Sequence, residues 1–201
     1  MNKEYARRVQ TCPRLNLGCG RFPDPNWINV DVVPLPGVDL VLDLNTLGEE
    51  NLPLPDDCIE AFRMSHVIEH IQNILPMMQE LHRVAKPGAV LSVRCPHGAS
   101  DDAWEDPSHV RPIYPQSFGY FSQPYYWRAD YGYRGDWLTH EIRLLVSANA
   151  CLGLYDTELF RRISRERNWI LEMLVTLVAI KPIRECRKHL QAPPKIVLER
   201  V

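Results

Sequence analysis

The sequence predicts a single α/β domain built on a mainly parallel, doubly wound sheet. Three observations lead to this prediction. A short strand pattern, Arg14–Leu17, ends in the glycine turn Gly18-Cys19-Gly20. A second apolar run ends on a carboxylate, Asp31. Further strand patterns and one clear helix then alternate along the chain, which is the order of elements typical of parallel α/β sheets.

Length and composition fit one globular domain. The chain has 201 residues, of which 45% are apolar and 24% charged. A formal net charge of −2 offers no basic surface, so nucleic acid is excluded as the main partner. The six cysteines are scattered without a C-x-x-C pair, and the first residues lack the apolar run of a signal peptide. We therefore expect a cytoplasmic protein.

Strand patterns dominate the first 95 residues. We expect strands at 14–17, 27–32, 39–44, 59–64 and 89–94. The link between the first two is proline-rich and shorter than the dozen or so residues that a parallel crossover normally needs. We therefore expect a shortened first crossover. The clearest helix covers 74–85, where apolar residues follow a 3.6-residue period up to Lys86-Pro87-Gly88.

The second half of the chain is less regular. Residues 97–136 show little periodicity, and a loop of that length is more often functional than idle. We then expect a strand over 138–147, a helix over 156–167 and a last strand over 195–201.

An almost continuously apolar segment covers residues 168–180, and we expect it to form a helix. Apolar residues around the whole helix cannot all be buried by one face on the sheet. We therefore expect this helix either to form a homodimer interface or to lie at a membrane interface. Arginines and lysines on both sides suit anionic headgroups.

Four segments resemble the class I S-adenosylmethionine-dependent methyltransferases. They are LNLGCG (15–20), INVD (28–31), LPLPDDCIEAFRMSHVIEH (52–70) and ELHRVAKPGAVLSV (80–93). The resemblance covers residues 14–95, and the order and spacing of the four parts make it specific. The short gap between Gly20 and Asp31 and the run DPSHVRP (106–112) further resemble a bacterial subgroup associated with surface-polysaccharide biosynthesis. Asn16 departs from the pattern, since the superfamily usually has an acid there.

The resemblance implies S-adenosylmethionine as cofactor and S-adenosylhomocysteine as product. Asp31 would bind the ribose hydroxyls, Asp43 the adenine amino group, and His66 would face the sulfonium. The cofactor-binding residues implied are Asn16, Leu17, Gly18, Cys19, Gly20, Asp31, Val32, Asp43, Leu44, Ser65 and His66. Residue chemistry agrees, because ligands of such sheets bind outside the carboxyl ends of the strands.

Methyl transfer to a hydroxyl also needs a group that accepts a proton. The candidates are His66, His70, His97, His109, Asp101 and Asp106. We take His97, His109 and Asp106 as the catalytic residues and interpret His70 as a packing residue. His97, Asp106 and His109 also suit a divalent ion, but they lack a recognised ligand spacing, so no metal is predicted.

The sequence thus predicts a methyltransferase that acts on an oxygen of a small molecule or glycan precursor. Two alternatives stay open, a non-catalytic binding or scaffolding protein of the same fold and a nicotinamide-dependent oxidoreductase. The missing third glycine of G-x-G-x-x-G disfavours the latter. The aromatic cluster of residues 114–127 either stacks on the acceptor or forms the core of the loop region.

The expected organisation is one domain over residues 1–201. It contains a cofactor-binding core at 14–95, an acceptor-side loop region at 96–136 and a helical insertion at 156–192. The expected partners are the acceptor and, through residues 168–180, a second copy of the chain or the inner face of a membrane.

Overall fold

A computed structural model describes Val9 and residues 11–201. One eight-stranded sheet has the strand order β3-β2-β1-β4-β5-β7-β6-β8. Its strands are β1 (Arg14–Leu17), β2 (Ile28–Asp31), β3 (Leu40–Val41), β4 (Ile59–Ser65), β5 (Ala85–Pro96), β6 (Trp137–Val146), β7 (Ile170–Ala179) and β8 (Lys195–Arg200). The helices are α1 (Ile74–Val84), α2 (Asp102–Glu105) and α3 (Asp156–Ile163), with 3-10 helices at Leu44–Thr46, Ile68–His70, Pro115–Phe121, Gln123–Trp127 and Lys188–Leu190.

The sheet is mainly parallel, which confirms the predicted fold class. Strands β1 to β5 pair in parallel, and β8 pairs in parallel with β6. Only β7 runs antiparallel, between β5 and β6. The shortened first crossover is also confirmed: Leu15 pairs with Ile28, and the link over 18–27 contains turns and no helix.

The predicted helix over 168–180 is wrong, because residues 170–179 form strand β7. Side chains of a strand alternate between the two faces of the sheet. Met173, Val175 and Leu177 are accordingly buried, whereas Leu174 and Thr176 are half-buried. Both faces of a strand inside a sheet accept apolar residues, which explains the continuous apolar run. The membrane contact and the homodimer inferred from that helix lose their basis.

The predicted helical insertion over 156–192 is therefore also wrong. It holds α3, which ends at Ile163, then β7 and the 3-10 helix Lys188–Leu190. No helix in the described part of the chain combines the length and apolar character needed to cross a lipid bilayer.

The main core lies between the sheet and α1. Met77, Met78 and Leu81 of α1 are fully buried. They pack with the buried side chains of the central strands, including Leu15, Phe62 and Leu91, in one apolar cluster. This packing fixes the carboxyl ends of β1, β2 and β4, where the candidate site is located.

Candidate functional site

A cavity of about 260 Å³ lies at the carboxyl ends of β1, β2 and β4. We call it the strand-end cavity. Six of the residues predicted to bind the cofactor line it: Gly18, Asp31, Val32, Asp43, Leu44 and His66. The remaining lining residues are Leu42, Asn45, Val67, His70 and Ile71. Because three strands end here, side chains far apart in the sequence meet around one space.

The glycine turn after β1 forms one wall of the cavity. Gly18 and Gly20 have φ angles of +62° and +53°, in the left-handed region that favours glycine. A Cβ atom on Gly18 would lie 2.4 Å from Cγ2 of Val67, so this position also lacks room for a side chain. The turn is held to the second strand by a hydrogen bond of 3.1 Å from the Cys19 amide to the carbonyl oxygen of Val30.

Asp31 at the end of β2 binds this turn. Its Oδ2 accepts a hydrogen bond of 2.7 Å from the Gly20 amide, and its Oδ1 accepts one of 2.9 Å from the Val33 amide. A carboxylate has about four lone-pair sites, so Asp31 keeps acceptor capacity toward the cavity. Such a carboxylate, fixed by backbone amides, suits ligand hydroxyl groups.

Asp43 contributes a second carboxylate to the cavity. Its Oδ1 accepts hydrogen bonds from the backbone amide of Asn45 at 2.9 Å and from the side-chain amide of Asn45 at 3.1 Å. Both described hydrogen bonds are made by Oδ1, so Oδ2 is available to a ligand N–H or O–H donor.

Two predicted cofactor residues, Asn16 and Ser65, line a different groove, of about 460 Å³. Asn16 is only 6% exposed, and both the nitrogen and the oxygen of its side-chain amide make hydrogen bonds. Its Nδ2 donates to Oδ1 of Asn29 at 2.9 Å, and its Oδ1 accepts from Nε of Arg63 at 2.8 Å. Asn16 thus links strands β1, β2 and β4, and it lies outside the lining of the strand-end cavity.

The other three predicted cofactor residues also lie outside the cavity lining. Leu17 is fully buried in the core. Cys19 is buried in the turn, and this burial raises the pKa of its thiol. Gly20 serves the site through its amide, which fixes Asp31.

His66 stands at the end of β4 in an unusual backbone conformation. Its φ angle is +54°, which is uncommon for a residue with a side chain, and such conformations are enriched at active sites. Nε2 lies 2.9 Å from Oε1 of Glu172, and Nδ1 lies 3.4 Å from Oε1 of Glu69. The imidazole therefore lies between two carboxyl groups.

Three side chains beside the cavity form a second arrangement, which we call the Glu–His cluster: Glu69, His70 and His109. One nitrogen or oxygen atom from each residue lies within 4.8 Å of the other two. Glu69 is 2% exposed, and neither of its carboxyl oxygens has a hydrogen-bond partner among the described residues. This burial raises the pKa of Glu69.

Hydrogen bonds at Nδ1 fix the rings of the two histidines in this cluster. Nδ1 of His70 lies 3.3 Å from the carbonyl oxygen of Ser108 and 3.1 Å from its hydroxyl. Nδ1 of His109 lies 3.2 Å from the carbonyl oxygen of Ala103. A carbonyl oxygen only accepts, so Nδ1 donates in both rings, and in the neutral form of each ring the lone pair is on Nε2.

The structure brings two of the three catalytic candidates together. Oδ2 of Asp106 lies 3.9 Å from Nε2 of His109, and its Oδ1 accepts from the Ser108 hydroxyl at 2.6 Å. His97 lies apart from this group. It is 6% exposed, its Nδ1 accepts from the Ala99 amide at 3.2 Å, and burial lowers its pKa.

Glu69 and His70 are the residues that the interpretation of the sequence underrated. His70 was expected to be a packing residue, yet it lines the cavity. The adjacent letters Glu-His at the end of a strand pattern were the available signal. The 3-10 helix Ile68–His70 aims both side chains toward the 106–112 loop, which the Val110 amide anchors to the carbonyl oxygen of Glu69 at 2.9 Å.

The aromatic cluster divides between the two expected roles. Phe118, Phe121 and Tyr126 are buried in the core of the loop region. Tyr114 and Tyr120 are 43% and 55% exposed and line a separate cavity of about 320 Å³ together with Arg111.

Comparisons with known proteins identify a related domain in the chain. A protein-family model described as a methyltransferase domain matches residues 34–93. This matched segment contains Asp43, His66, Glu69 and His70 of the site. This segment of the chain is related to methyltransferase domains. The predicted enzyme class and cofactor are thereby confirmed.

Solved structures of methyltransferases share the fold of this chain. A methyltransferase from Archaeoglobus fulgidus has a TM-score of 0.58 at 17% identity, over 88% of this chain and 90% of that one. A Methanosarcina mazei methyltransferase has a TM-score of 0.51 at 12% identity, over 83% and 92%. A Thermotoga maritima protein, described as a possible histamine N-methyltransferase, has a TM-score of 0.51 at 15% identity, over 89% and 96%. A comparison with curated proteins gives no significant sequence match.

Proposed function

We propose that the strand-end cavity binds S-adenosylmethionine and that the enzyme transfers its methyl group to a hydroxyl oxygen. The acceptor is a small molecule or a glycan precursor. The observation that carries this proposal is the arrangement of two carboxylates and a histidine around one cavity, with the Glu–His cluster at its edge.

The cavity supplies a partner for each end of the adenosine group. Asp31 accepts hydrogen bonds from the ribose hydroxyls, because its carboxylate is fixed by the Gly20 and Val33 amides and keeps free lone pairs. Asp43 accepts from the adenine amino group through Oδ2. The apolar walls provided by Val32, Leu42 and Leu44 pack on the faces of the base.

The chemistry requires an acceptor oxygen in line with the methyl–sulfur bond and a means to remove its proton. Reacting atoms must approach to about 3–3.5 Å before transfer. His70 lines the cavity and belongs to the Glu–His cluster, so the cluster lies where an acceptor next to the cofactor would be bound. We assign the activation of the acceptor oxygen to this cluster.

The glycan precursor is favoured by the separate cavity that Tyr114, Tyr120 and Arg111 line. Aromatic faces pack well on the apolar faces of sugar rings, and a guanidinium binds hydroxyl or phosphate oxygens. The surface-polysaccharide subgroup, which the 106–112 motif resembles, is proposed on the same basis, since Arg111 belongs to that motif.

Methyl transfer is tested with isotopically labelled S-adenosylmethionine and a panel of hydroxyl, amine and carboxylate acceptors, including nucleotide sugars. We expect label in a hydroxyl product and equimolar S-adenosylhomocysteine. His109→Gln changes a cluster residue outside the cavity lining, so it should bind S-adenosylhomocysteine like the wild type but lower turnover by about 10²-fold or more. Label that enters only amine acceptors, or full turnover by His109→Gln, would overturn the proposal.

A further inference from the structure

We propose that Glu69, His70 and His109 bind a divalent transition-metal ion, with zinc as the ion that best suits their ligand atoms. The proposal deepens the proposed function, because the ion would act at the acceptor side of the cavity. Its binding can nevertheless be measured without any methyl acceptor.

The ligand set has the composition of a catalytic metal site. Two imidazole nitrogens and one carboxylate oxygen converge, and all three lie within 4.8 Å of one another. Two histidines and one glutamate leave at least one coordination position open, as in catalytic zinc sites. Imidazole-rich sets favour transition-metal ions over Mg²⁺ or Ca²⁺, which prefer oxygen ligands.

Hydrogen bonds behind the two rings fit metal binding as well. Histidines that bind metal ions usually donate their second ring N–H to a carbonyl or carboxylate oxygen. Nδ1 of His70 faces the Ser108 carbonyl and Nδ1 of His109 faces the Ala103 carbonyl, at 3.3 and 3.2 Å. The neutral form of each ring therefore has its lone pair on Nε2, the atom that would bind a metal ion.

Glu69 provides an independent observation. It is 2% exposed, and both of its carboxyl oxygens lack a hydrogen-bond partner among the described residues. Buried carboxylates are normally hydrogen-bonded, paired with a charge or coordinated to a metal ion, because desolvation is otherwise costly. Outside the cluster, His66 also pairs with Glu69: its Nδ1 lies 3.4 Å from Oε1, while its Nε2 pairs with Glu172.

The backbone connects the two parts of the site before any ion binds. The Val110 amide donates to the Glu69 carbonyl at 2.9 Å, and Ser108 contacts His70 from the same loop. The loop that carries His109 is thus fixed to the 3-10 helix that carries the other two ligands. A tetrahedral zinc ion with bonds of about 2.1 Å separates its ligand atoms by roughly 3.4 Å, so small side-chain shifts complete the site.

A bound ion would serve the proposed reaction as a Lewis acid. Coordination would lower the pKa of a bound hydroxyl group, and its proton would pass to the carboxylate of Asp106, whose Oδ2 lies 3.9 Å from Nε2 of His109. His70 lines the strand-end cavity, so an acceptor oxygen on the ion would lie beside the cofactor.

The direct test is metal binding by the chelator-treated protein. We expect Zn²⁺ to bind at one equivalent with a Kd of about 1 μM or lower in competition with a chromogenic chelator. His70→Gln and His109→Gln should each weaken binding by at least about 10-fold. His140→Gln, in which an exposed histidine of β6 is replaced, is the matched control and should bind like the wild type.

Glu69→Gln is the third ligand variant, and its melting temperature is measured first because the residue is buried. If it does not fold, Co²⁺ binding to the wild type replaces it, since the visible spectrum reports nitrogen and oxygen ligands. Absence of one-equivalent Zn²⁺ binding, or equal binding by both histidine variants and the wild type, would overturn the proposal. S-adenosylhomocysteine affinity, measured on the same samples, shows separately whether the proposed function fails.

Discussion

Nε2 of His66 lies 2.9 Å from Oε1 of Glu172, and this contact joins the end of β4 to β7 at the edge of the strand-end cavity. Arg94 of β5 donates to the other carboxyl oxygen of Glu172 through Nε at 2.8 Å. Three strands thus hold one histidine of the cavity wall. The antiparallel strand that the sequence did not predict provides the carboxylate.

Glu172→Ala should weaken S-adenosylhomocysteine binding by about 2–10-fold. The variant removes a hydrogen bond worth about 0.5–1.5 kcal/mol and frees the His66 ring. Isothermal titration calorimetry measures the change. Glu199→Ala is the control. Glu199 is on β8, away from the cavity, and pairs with Arg143 of β6 at 3.1 Å. Equal losses in the two variants would show that the His66 contact has no role in binding.

Gly18→Ala should destabilise the protein more than Gly20→Ala. Both residues have positive φ angles, so each alanine costs roughly 1–2 kcal/mol of backbone strain. Only at Gly18 does the new Cβ also clash, at 2.4 Å from Val67. Thermal unfolding measures both variants, and Val67→Ala should partly rescue Gly18→Ala. Equal melting temperatures for the two alanine variants would contradict the packing described for the turn.

Leu177→Ala should cost much more stability than Leu174→Ala. In a strand these residues point to opposite faces, and Leu177 is fully buried whereas Leu174 is half-buried. The buried truncation should lower the free energy of unfolding by about 2–5 kcal/mol. A helix would instead place the two leucines on one side, three residues apart, and predict similar costs. Urea titration of both variants decides between strand and helix.

Burial lowers the pKa of His82 below its ordinary value. Lys181 acts in the same direction, while the Ile180 carbonyl, Asp136 and Asp57 oppose it. In the unfolded chain His82 therefore takes up a proton as the pH falls through about 6.5, whereas in the folded chain it does so only at a lower pH. The stability contribution of neutral His82 is complete above pH 6.5 and is lost as the pH falls below it.

The test compares wild type with His82→Gln, which can still donate to the Ile180 carbonyl that Nε2 of His82 contacts at 3.1 Å. Melting curves between pH 5 and 8 should show a steeper acid loss for the wild type. One proton accounts for at most about 1.4 kcal/mol per pH unit. Parallel curves for the two proteins would contradict the assignment. Burial also lowers the pKa of His97, and His97 is present in both proteins, so it contributes equally to the pH dependence of their melting temperatures.

The sequence predicted the parallel half of the fold because its signals there are local. Strand β1 was predicted with the same bounds, and the glycine turn and Asp31 lie where the strand ends placed them. The turn at Gly18 and the carboxylate of Asp31 depend on interactions with residues nearby in the sequence, such as the hydrogen bonds from Gly20 and Val33 to Asp31. Their positions therefore follow from local patterns alone.

The antiparallel half could not be predicted in the same way. Leu171 to Ala179 is apolar at nearly every position, so period-2 and period-3.6 patterns are both satisfied. Pairing with β5 and β6 on both sides decides for the strand, and those contacts are non-local. The role of Asn16 could not be predicted for the same reason. Its side-chain amide binds Asn29 and Arg63, which are distant in the sequence.

Binding of S-adenosylhomocysteine to Asp31→Ala, measured by isothermal titration calorimetry, tests the central claim most directly. Asp102→Ala, an exposed acid in α2, is the control. Charge-assisted hydrogen bonds are worth about 1.5–3 kcal/mol, so Asp31→Ala should bind roughly 10–150-fold more weakly than the wild type while the control is unchanged. A folded Asp31→Ala protein that binds as tightly as the wild type would contradict the placement of the cofactor in the strand-end cavity.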